Sequence, residues 1–89
     1  KISLLNSIAR YMSKDGELFI QSDIFKLIES MTDVIDNSNY FDRKDVQGLK
    51  WLKQNPYEVL TDREIFVIKK NLPIFRAMYI RNSTTTLIN

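Results

Sequence analysis

The chain has 89 residues, which is enough for one domain at most. With 44% hydrophobic and 27% charged residues, its composition is typical of a folded chain and not of a disordered segment. It contains no Cys and no His, which excludes disulfides, a thiolate nucleophile, a Cys/His zinc site and a histidine base. The net charge of +2 is compatible with nucleic-acid binding but does not indicate it. No apolar run approaches the ~20 residues of a transmembrane helix, so no membrane-spanning segment is expected. Because the chain has no Cys and no His, no metal site is expected either.

The first half of the chain predicts a helix, a strand and a second helix. Across residues 2–13, apolar side chains recur at the spacing of an amphipathic helix, and Gly16 is expected to end that helix in the left-handed conformation. Three consecutive apolar residues within Glu17–Ser22 indicate a strand in the interior of a sheet. The helical spacing returns across residues 24–36, where Met31 is one of the apolar positions, and the polar residues 37–39 end the second helix.

The second half begins with residues 40–54, which have no clear period and predict only a short strand at 40–43 and a helical turn at 46–52. Thr61 and Glu64 then form a capping box. In this motif the Thr61 hydroxyl accepts from the Glu64 N–H, and the Glu64 carboxylate reaches back to the Thr61 N–H. Asn71, in the left-handed conformation, and Pro73 end this third helix. The apolar run across 74–80 predicts a strand covered on both faces.

The alternation of helices and strands indicates an α/β fold. Two or three strands, however, do not make a sheet whose faces are both covered. We therefore expect residues 1–82 to be half of a larger domain or to pair with a second copy, and residues 83–89 to be a flexible tail.

Two places have the residue types of a binding site, and each also has a purely structural interpretation. Asp23 directly follows the first strand, where ligands of open α/β sheets bind, but it is also a suitable N-cap for a helix that begins at Ile24. The helix start at 61–64 is either a cap alone or also a binding site, since its unpaired N–H groups attract anions. Arg63 has two candidate partners, a phosphate or Asp23.

The basic and aromatic residues leave the same choice open. Lys69 and Lys70 suit the C-terminus of the third helix. Arg76 needs a partner if its strand is buried, and phosphate contact is the alternative for it. Three aromatic residues either fill the core or stack on nucleic-acid bases: Tyr40, Trp51 and Tyr57.

Three segments resemble the C-terminal end of tRNA (guanine-N7-)-methyltransferases: N-P-Y at residues 55–57, T-D-R-E at 61–64 and L-P-I-F-R-A at 72–77. The helix, the glycine turn and the strand that ends at Ser22-Asp23 are also similar to that family, so the resemblance covers most of residues 4–82. Ser22 stands where the family more often has Thr, and Asn71-Leu72 replaces the usual Gly-x pair. The family's D-P-W segment and its Gly-rich first turn would lie before Lys1.

The resemblance implies a Rossmann-like fold, of which this chain is the C-terminal part. It implies methyl transfer from S-adenosylmethionine to N7 of a guanosine in tRNA, with 7-methylguanosine as the product. Asp23, as the strand-end aspartate of the family, is implied to contact the target guanosine and to have the catalytic role. The tetrad Thr61, Asp62, Arg63 and Glu64 is implied to line the substrate pocket, with Thr61 and Glu64 also facing the cofactor.

The same resemblance sets the expected partners. Because the main cradle of the cofactor would lie outside these residues, we expect the chain alone to be inactive. Its partners would be tRNA and either the missing N-terminal half, an auxiliary subunit or a second copy. The protein would be intracellular and would not bind a membrane. The alternative hypothesis is a non-catalytic RNA- or protein-binding module derived from such an enzyme.

Overall fold

The computed structural model describes residues 2–44, 50–57 and 59–86. In that part of the chain helices and strands alternate, which confirms the α/β class: α1 (Ile2–Tyr11), β1 (Glu17–Ser22), α2 (Phe25–Asn37), β2 (Phe41–Lys44), α3 (Asp62–Lys69) and β3 (Phe75–Arg81). The strands predicted at 40–43 and 74–80 each begin and end one residue later than expected. Most of the helical turn predicted at 46–52, and the end of the tail, lie outside the described residues.

The strands form one sheet in the order β1-β3-β2, and β3 is antiparallel to both of its neighbours. The register places Ile20 of β1 opposite Ala77 of β3, and Arg43 of β2 opposite Tyr79. Residues 76–79 of β3 are all buried, which confirms that this strand is covered on both faces. The interior position predicted for β1 is wrong for this sheet, because β1 forms one of its edges.

Within the described residues, both faces of β1 are covered although it has only one neighbouring strand. Leu18 and Ile20 pack against the hydrophobic core. Phe19 points to the opposite face, as alternation along a strand requires, and its ring lies edge to face with the Tyr57 ring at a centroid distance of 5.3 Å. Partial cover on both faces is therefore enough to explain three consecutive apolar residues.

The core lies between the sheet and the helices α1 and α2. Phe41 and Tyr79 meet there edge to face, with ring centroids 6.5 Å apart. On α2, Thr32 is fully buried and its hydroxyl donates to the Glu29 carbonyl (3.0 Å), whereas Met31, predicted as an apolar-face residue, is 40% exposed. The buried members of the core are Leu5, Ala9, Ile35, Tyr40, Phe41, Ala77 and Tyr79.

The turn between α1 and β1 corrects one predicted conformation. Asp15, and not Gly16, has a positive φ of 71°, which Asp tolerates better than most residues do. Gly16 is required for a close approach instead, since a Cβ there would lie 3.0 Å from the Ser13 carbonyl oxygen and 3.1 Å from Met12 Cε. The Arg81 N–H donates to the Gly16 carbonyl (2.8 Å), so this turn is bonded to the end of β3.

The two ends of α3 follow from the local sequence. At the N-terminus, the Thr61 hydroxyl accepts from the Glu64 N–H at 3.0 Å, which confirms the predicted cap. At the C-terminus, Asn71 has a φ of 57°, and its N–H donates to the Ile68 carbonyl while the Leu72 N–H donates to the Val67 carbonyl. These are the two bonds of a Schellman motif, which ends the helix just before β3.

No helix in the described ranges combines the length and the apolar character that crossing a membrane requires. Over the same residues, the acidic side chains form no group of three that could hold a metal ion. Two of the acids near α3, Asp23 and Glu64, are each paired with an arginine.

Candidate functional site

The carboxyl end of β1 and the N-terminal turn of α3 meet through an ion pair. Arg63 donates from Nε to Asp23 Oδ1 (3.2 Å) and from Nη2 to Asp23 Oδ2 (2.7 Å), a bidentate arrangement. The structure thus selects Asp23 from the two partners that the sequence left open for Arg63. It also shows that Asp23 as an N-cap was wrong: the cap position of α2 is Ile24, whose N–H donates to the Ser22 hydroxyl (2.9 Å).

This pair keeps both of its members charged. The hydrogen bonds from Arg63 hold the pKa of the Asp23 carboxyl below its usual value, and the same bonds raise the pKa of the Arg63 guanidinium. The Arg63 side chain is 62% exposed and that of Asp23 is 16% exposed. A pair this open to solvent contributes little to stability, so its main consequence is an oriented, ionised carboxylate at the end of β1.

Glu64 is buried beneath this pair and accepts hydrogen bonds from three side chains. Its Oε2 accepts from Arg76 Nη2 (2.7 Å), and its Oε1 accepts from Asn55 Nδ2 (2.8 Å) and Gln21 Nε2 (3.2 Å). Burial by itself would raise the pKa of Glu64, but these hydrogen bonds outweigh it and the pKa is lowered. The Glu64 side chain is fully shielded from solvent, and that of Arg76 is 8% exposed.

The second half of the predicted capping box is therefore wrong. The Glu64 carboxylate does not reach back to the Thr61 N–H, because it is turned toward Arg76 and the two amides. A buried guanidinium is the stronger partner, since leaving that charge unpaired would cost far more than leaving a helix-end N–H to water.

The sequence did not reveal which residue pairs with Arg76. Arg76 was expected to need a partner if buried, and it is 6% exposed on the central strand. Its Nη1 also donates to the Lys53 carbonyl (2.8 Å), while its Nε–H has no hydrogen-bond partner among the residues that the structure describes. A buried Arg on a strand and an acid on the helix that precedes it would be the signal, but only the packing of α3 on β3 makes Glu64 the match.

Gln21 is a second residue that the sequence did not single out. A carboxylate only accepts hydrogen bonds, so the amide nitrogen of Gln21 must face Glu64. The amide oxygen, Oε1, is then left buried without a donor in the described part of the chain. An unsatisfied buried acceptor is costly in a native structure. Gln21 places such an acceptor on the buried side of the site.

Two clefts adjoin this network. The first, of about 380 Å³, is lined by Gln21, Ser22, Asp23, Thr61, Arg63, Glu64, Val67 and Ile74. The second, of about 480 Å³, is lined by Lys53, Gln54, Asn55, Leu60, Glu64, Ile68, Leu72, Ile74 and Arg76. Glu64 and Ile74 belong to both, so the two clefts share a wall.

The structure brings four of the five predicted site residues together around the first cleft: Asp23, Thr61, Arg63 and Glu64. Asp62 is exposed at the helix start and is not among the residues lining either cleft. The aromatic candidates for base stacking have protein contacts instead. Tyr40 is buried in the core, Tyr57 packs on Phe19, and Trp51 lies edge to face with Phe75 at 5.6 Å.

The first cleft has a defined chemical capability. The ionised Asp23 carboxylate can accept hydrogen bonds from a ring that presents adjacent N–H groups, and it favours positive charge on that ring. No His or Cys exists in the chain to act as a base or nucleophile at neutral pH. The arrangement suits binding and electrostatic stabilisation.

Comparison with known proteins gives close matches. No family model matches the chain. A protein of Prochlorococcus marinus (strain NATL1A) named tRNA (guanine-N(7)-)-methyltransferase is 65% identical over 81 residues, which are 91% of this chain and 38% of that protein. A protein of the same name from Prochlorococcus marinus (strain NATL2A) is 63% identical over 83 residues, or 93% of this chain and 39% of its own length.

A more distant relative gives the same name. The protein from Parasynechococcus marenigrum (strain WH8102) is 39% identical over 82 residues, which are 92% of this chain and 35% of that protein. The chain therefore spans less than two fifths of the length of the curated relatives it matches, and the matched part is their C-terminal portion.

Proposed function

Because this chain belongs to the tRNA (guanine-N7-)-methyltransferase family, we propose that the complete protein transfers a methyl group from S-adenosylmethionine to N7 of a guanosine in intracellular tRNA. The observation that carries the proposal is the ionised Asp23 carboxylate, held by Arg63 at the end of β1 and beside a cleft. The alternative of a non-catalytic binding module receives no support from the names of the relatives.

We propose further that the sheet continues in the complete protein as a Rossmann-like sheet, and that residues 1–82 form its C-terminal half. Two observations support this. The outer edge of β1 is unpaired in the three-stranded sheet. An apolar groove of about 310 Å³ also lies over β1 between α1 and α2, with Leu4, Ile8, Leu18 and Met31 among its lining residues. Further strands and helices of the same protein would cover both features. An auxiliary subunit or a second copy remains a prediction.

In this proposal Asp23 binds and orients the guanine. Its two oxygens accept from the N1–H and the exocyclic amino group on the edge of the base, which leaves N7 directed away from the carboxylate edge. N7 already has an in-plane lone pair, so no residue of this chain has to remove a proton from it. The methylated ring is positively charged, and the Asp23 carboxylate stabilises the charge as it develops.

Arg63 and Glu64 have different roles in the proposed site. Arg63 holds the Asp23 carboxylate in one orientation, which lowers the entropy lost when the base binds. Glu64 is a positioning residue, since its carboxylate is saturated by Arg76, Asn55 and Gln21 and is shielded from solvent. It anchors the N-terminus of α3 to β3 and so keeps Arg63 opposite Asp23. Asp62 adds negative charge at the helix start.

The residues of the first cleft fit one side of S-adenosylmethionine. That molecule carries hydrogen-bond donors in its amino group and its ribose hydroxyls, and the unsatisfied Gln21 Oε1 at this cleft needs a donor. Thr61 would hold the cofactor through its hydroxyl, and Glu64 would contribute by fixing the Gln21 amide. When bound, the cofactor supplies a methyl group on a positively charged sulfonium. The rest of its cradle lies in other parts of the complete protein, so the chain alone is expected to be inactive.

The proposal is tested by methyl transfer from labelled S-adenosylmethionine to an unmodified tRNA transcript, with the product identified as 7-methylguanosine by nucleoside mass analysis. The complete protein should be active and the 89-residue chain inactive. Asp23→Asn in the complete protein should lower the rate by about a hundredfold, because the variant loses the charge that stabilises the product ring.

The matched control is Asp33→Asn, which alters an exposed aspartate on α2, away from the clefts. It should leave the rate unchanged. Equal rates for the Asp23→Asn and Asp33→Asn variants would remove Asp23 from the mechanism. A complete protein that binds tRNA but forms no 7-methylguanosine would overturn the enzyme in favour of the binding module.

A further inference from the structure

The second cleft has no part in the proposed methyl transfer, yet its lining has the composition of a ligand site. Three of its large apolar side chains are open to solvent: Leu60 is 39% exposed, Ile68 is 52% exposed and Leu72 is 46% exposed. They converge with Ile74 on one concave surface. Apolar walls that meet a few polar groups in one concavity are typical of small-molecule and nucleotide sites.

The polar end of this cleft carries one positive charge in excess, that of Lys53, because Glu64 of the same lining neutralises Arg76. Lys53 is exposed and forms no ion pair within the described part of the chain. Arg76 is nine-tenths buried, and although two of its nitrogens are bonded, its Nε–H has no partner within residues 2–44, 50–57 and 59–86. A buried donor without an acceptor destabilises the free protein. A ligand that brings an acceptor would remove this cost.

The position of the cleft indicates what the ligand is. Glu64 and Ile74 form a wall that it shares with the first cleft, so two ligands bound on either side of this wall would be neighbours. Consecutive nucleotides of a single strand have this relation. Each has an apolar base face, a polar base edge and a phosphate, which match the apolar wall and the basic end of the second cleft.

We propose that the second cleft binds the nucleotide next to the target guanosine, with its base against Ile68 and Leu72 and its phosphate near Lys53. This inference rests on the proposed function, because it takes the target guanosine to occupy the first cleft. A protein segment would also cover the apolar wall, but it gives no reason for the basic end. The charge of the cleft therefore favours RNA as the occupant.

The test uses the complete protein and compares two isoleucines of α3. Ile68→Ala shortens the apolar wall, whereas Ile65→Ala truncates an exposed side chain of the same helix that lines neither cleft. Once the methylated guanosine has been mapped, transcripts with an abasic site on its 5′ or its 3′ side are prepared. Apolar contact with one face of a base, at roughly 25 cal/mol per Å² of buried area, contributes about tenfold to affinity.

With the wild-type protein, one of the two abasic transcripts should bind about tenfold more weakly than the intact transcript, because the base no longer covers Ile68 and Leu72. With the Ile68→Ala protein, the intact and abasic transcripts should bind alike, while the Ile65→Ala protein should behave as the wild type. The Lys53→Gln variant should reduce the salt dependence of binding by roughly one phosphate contact, and Lys69→Gln, at an exposed lysine outside the cleft, should not.

Two results would overturn the inference while leaving the proposed function intact. In the first, 7-methylguanosine forms normally, but removal of a base from the transcript weakens its binding to the Ile68→Ala protein by the same factor as its binding to the wild-type protein. In the second, Ile68→Ala lowers the melting temperature of the complete protein and leaves RNA binding unchanged, which would show that a protein segment covers the cleft. If the wild-type protein makes no 7-methylguanosine, the proposed function fails and the inference fails with it.

Discussion

The two faces of the central strand β3 are held by different forces at residues 76–79, before the buried Arg81 with which the strand ends. On one face, Ala77 and Tyr79 lie in an apolar core with the helices α1 and α2. On the other face, Arg76 is buried in an ion pair with Glu64 of α3. Adjacent residues of one strand thus point into environments of opposite character, as the alternation of side chains along a strand allows.

The comparison shows why the candidate site lies on the polar face. Apolar packing tolerates many side chains of suitable volume, whereas a buried ion pair needs one partner in one geometry and is often no more stable than an apolar replacement. The Glu64–Arg76 pair is therefore better explained by what it positions than by stability. It fixes α3 against β3, and with it the Arg63 that holds Asp23.

The largest effect should come from breaking the polar face. Arg76→Met leaves the Glu64 carboxylate buried without its cation, and the free energy of unfolding should fall by about 3–5 kcal/mol. Urea unfolding of the complete protein measures this. Adding Glu64→Leu to the variant should recover most of the loss, because no buried charge is then unpaired. A double variant as unstable as Arg76→Met alone would contradict the account.

A cavity in the apolar face should cost somewhat less. Ile35 is 5% exposed within the core, and Ile35→Ala should lower the free energy of unfolding by about 3 kcal/mol through lost contacts and an unfilled cavity. The same urea titration at two salt concentrations should give the same loss, since no charge is involved. A strong dependence of this loss on salt would argue against a purely apolar core.

Acid should weaken the polar face and spare the apolar one. The pKa of Glu64 is lowered in the folded protein below its ordinary value of 4.5, so its contribution is complete above that pH and is lost as the pH falls through the folded-state pKa. The effect should be smaller than that of Arg76→Met, because a protonated Glu64 still forms hydrogen bonds. The free energy of unfolding, measured from pH 7 downward, should depend less on pH for Glu64→Gln than for the wild-type protein. The same pH dependence in both proteins would exclude Glu64 as the source of the acid sensitivity.

The smallest effect should come from the cap of α3. Thr61→Ala removes the acceptor for the Glu64 N–H and should lower the free energy of unfolding by about 1 kcal/mol. Thr61→Ser keeps that acceptor and should restore most of the loss. If the cap also serves the cofactor, as proposed for Thr61, the Ala variant should raise the KM for S-adenosylmethionine as well, and equal KM values would restrict Thr61 to capping.

Several elements were predictable because their causes are local. The strand Glu17–Ser22 follows from its apolar run, the Thr61 cap from a hydroxyl three residues before Glu64, and the end of α3 from Asn71 and Pro73. Asp23 and the residues 61–64 were recognised from their positions at element ends and from the family motifs. None of these inferences needed to know which elements are neighbours in space.

Spacing and short motifs in the amino-acid sequence were enough to predict the element types, the Thr61 cap and the C-terminal end of α3, and to indicate the resemblance to the family. The tertiary structure alone decided that β3 lies between β1 and β2, that Asp23 pairs with Arg63, and that the Glu64 carboxylate turns away from its own helix end toward Arg76. The physical reason is that a buried charge takes its strongest available partner. That partner can be many residues away along the chain, and only folding brings it within hydrogen-bond distance.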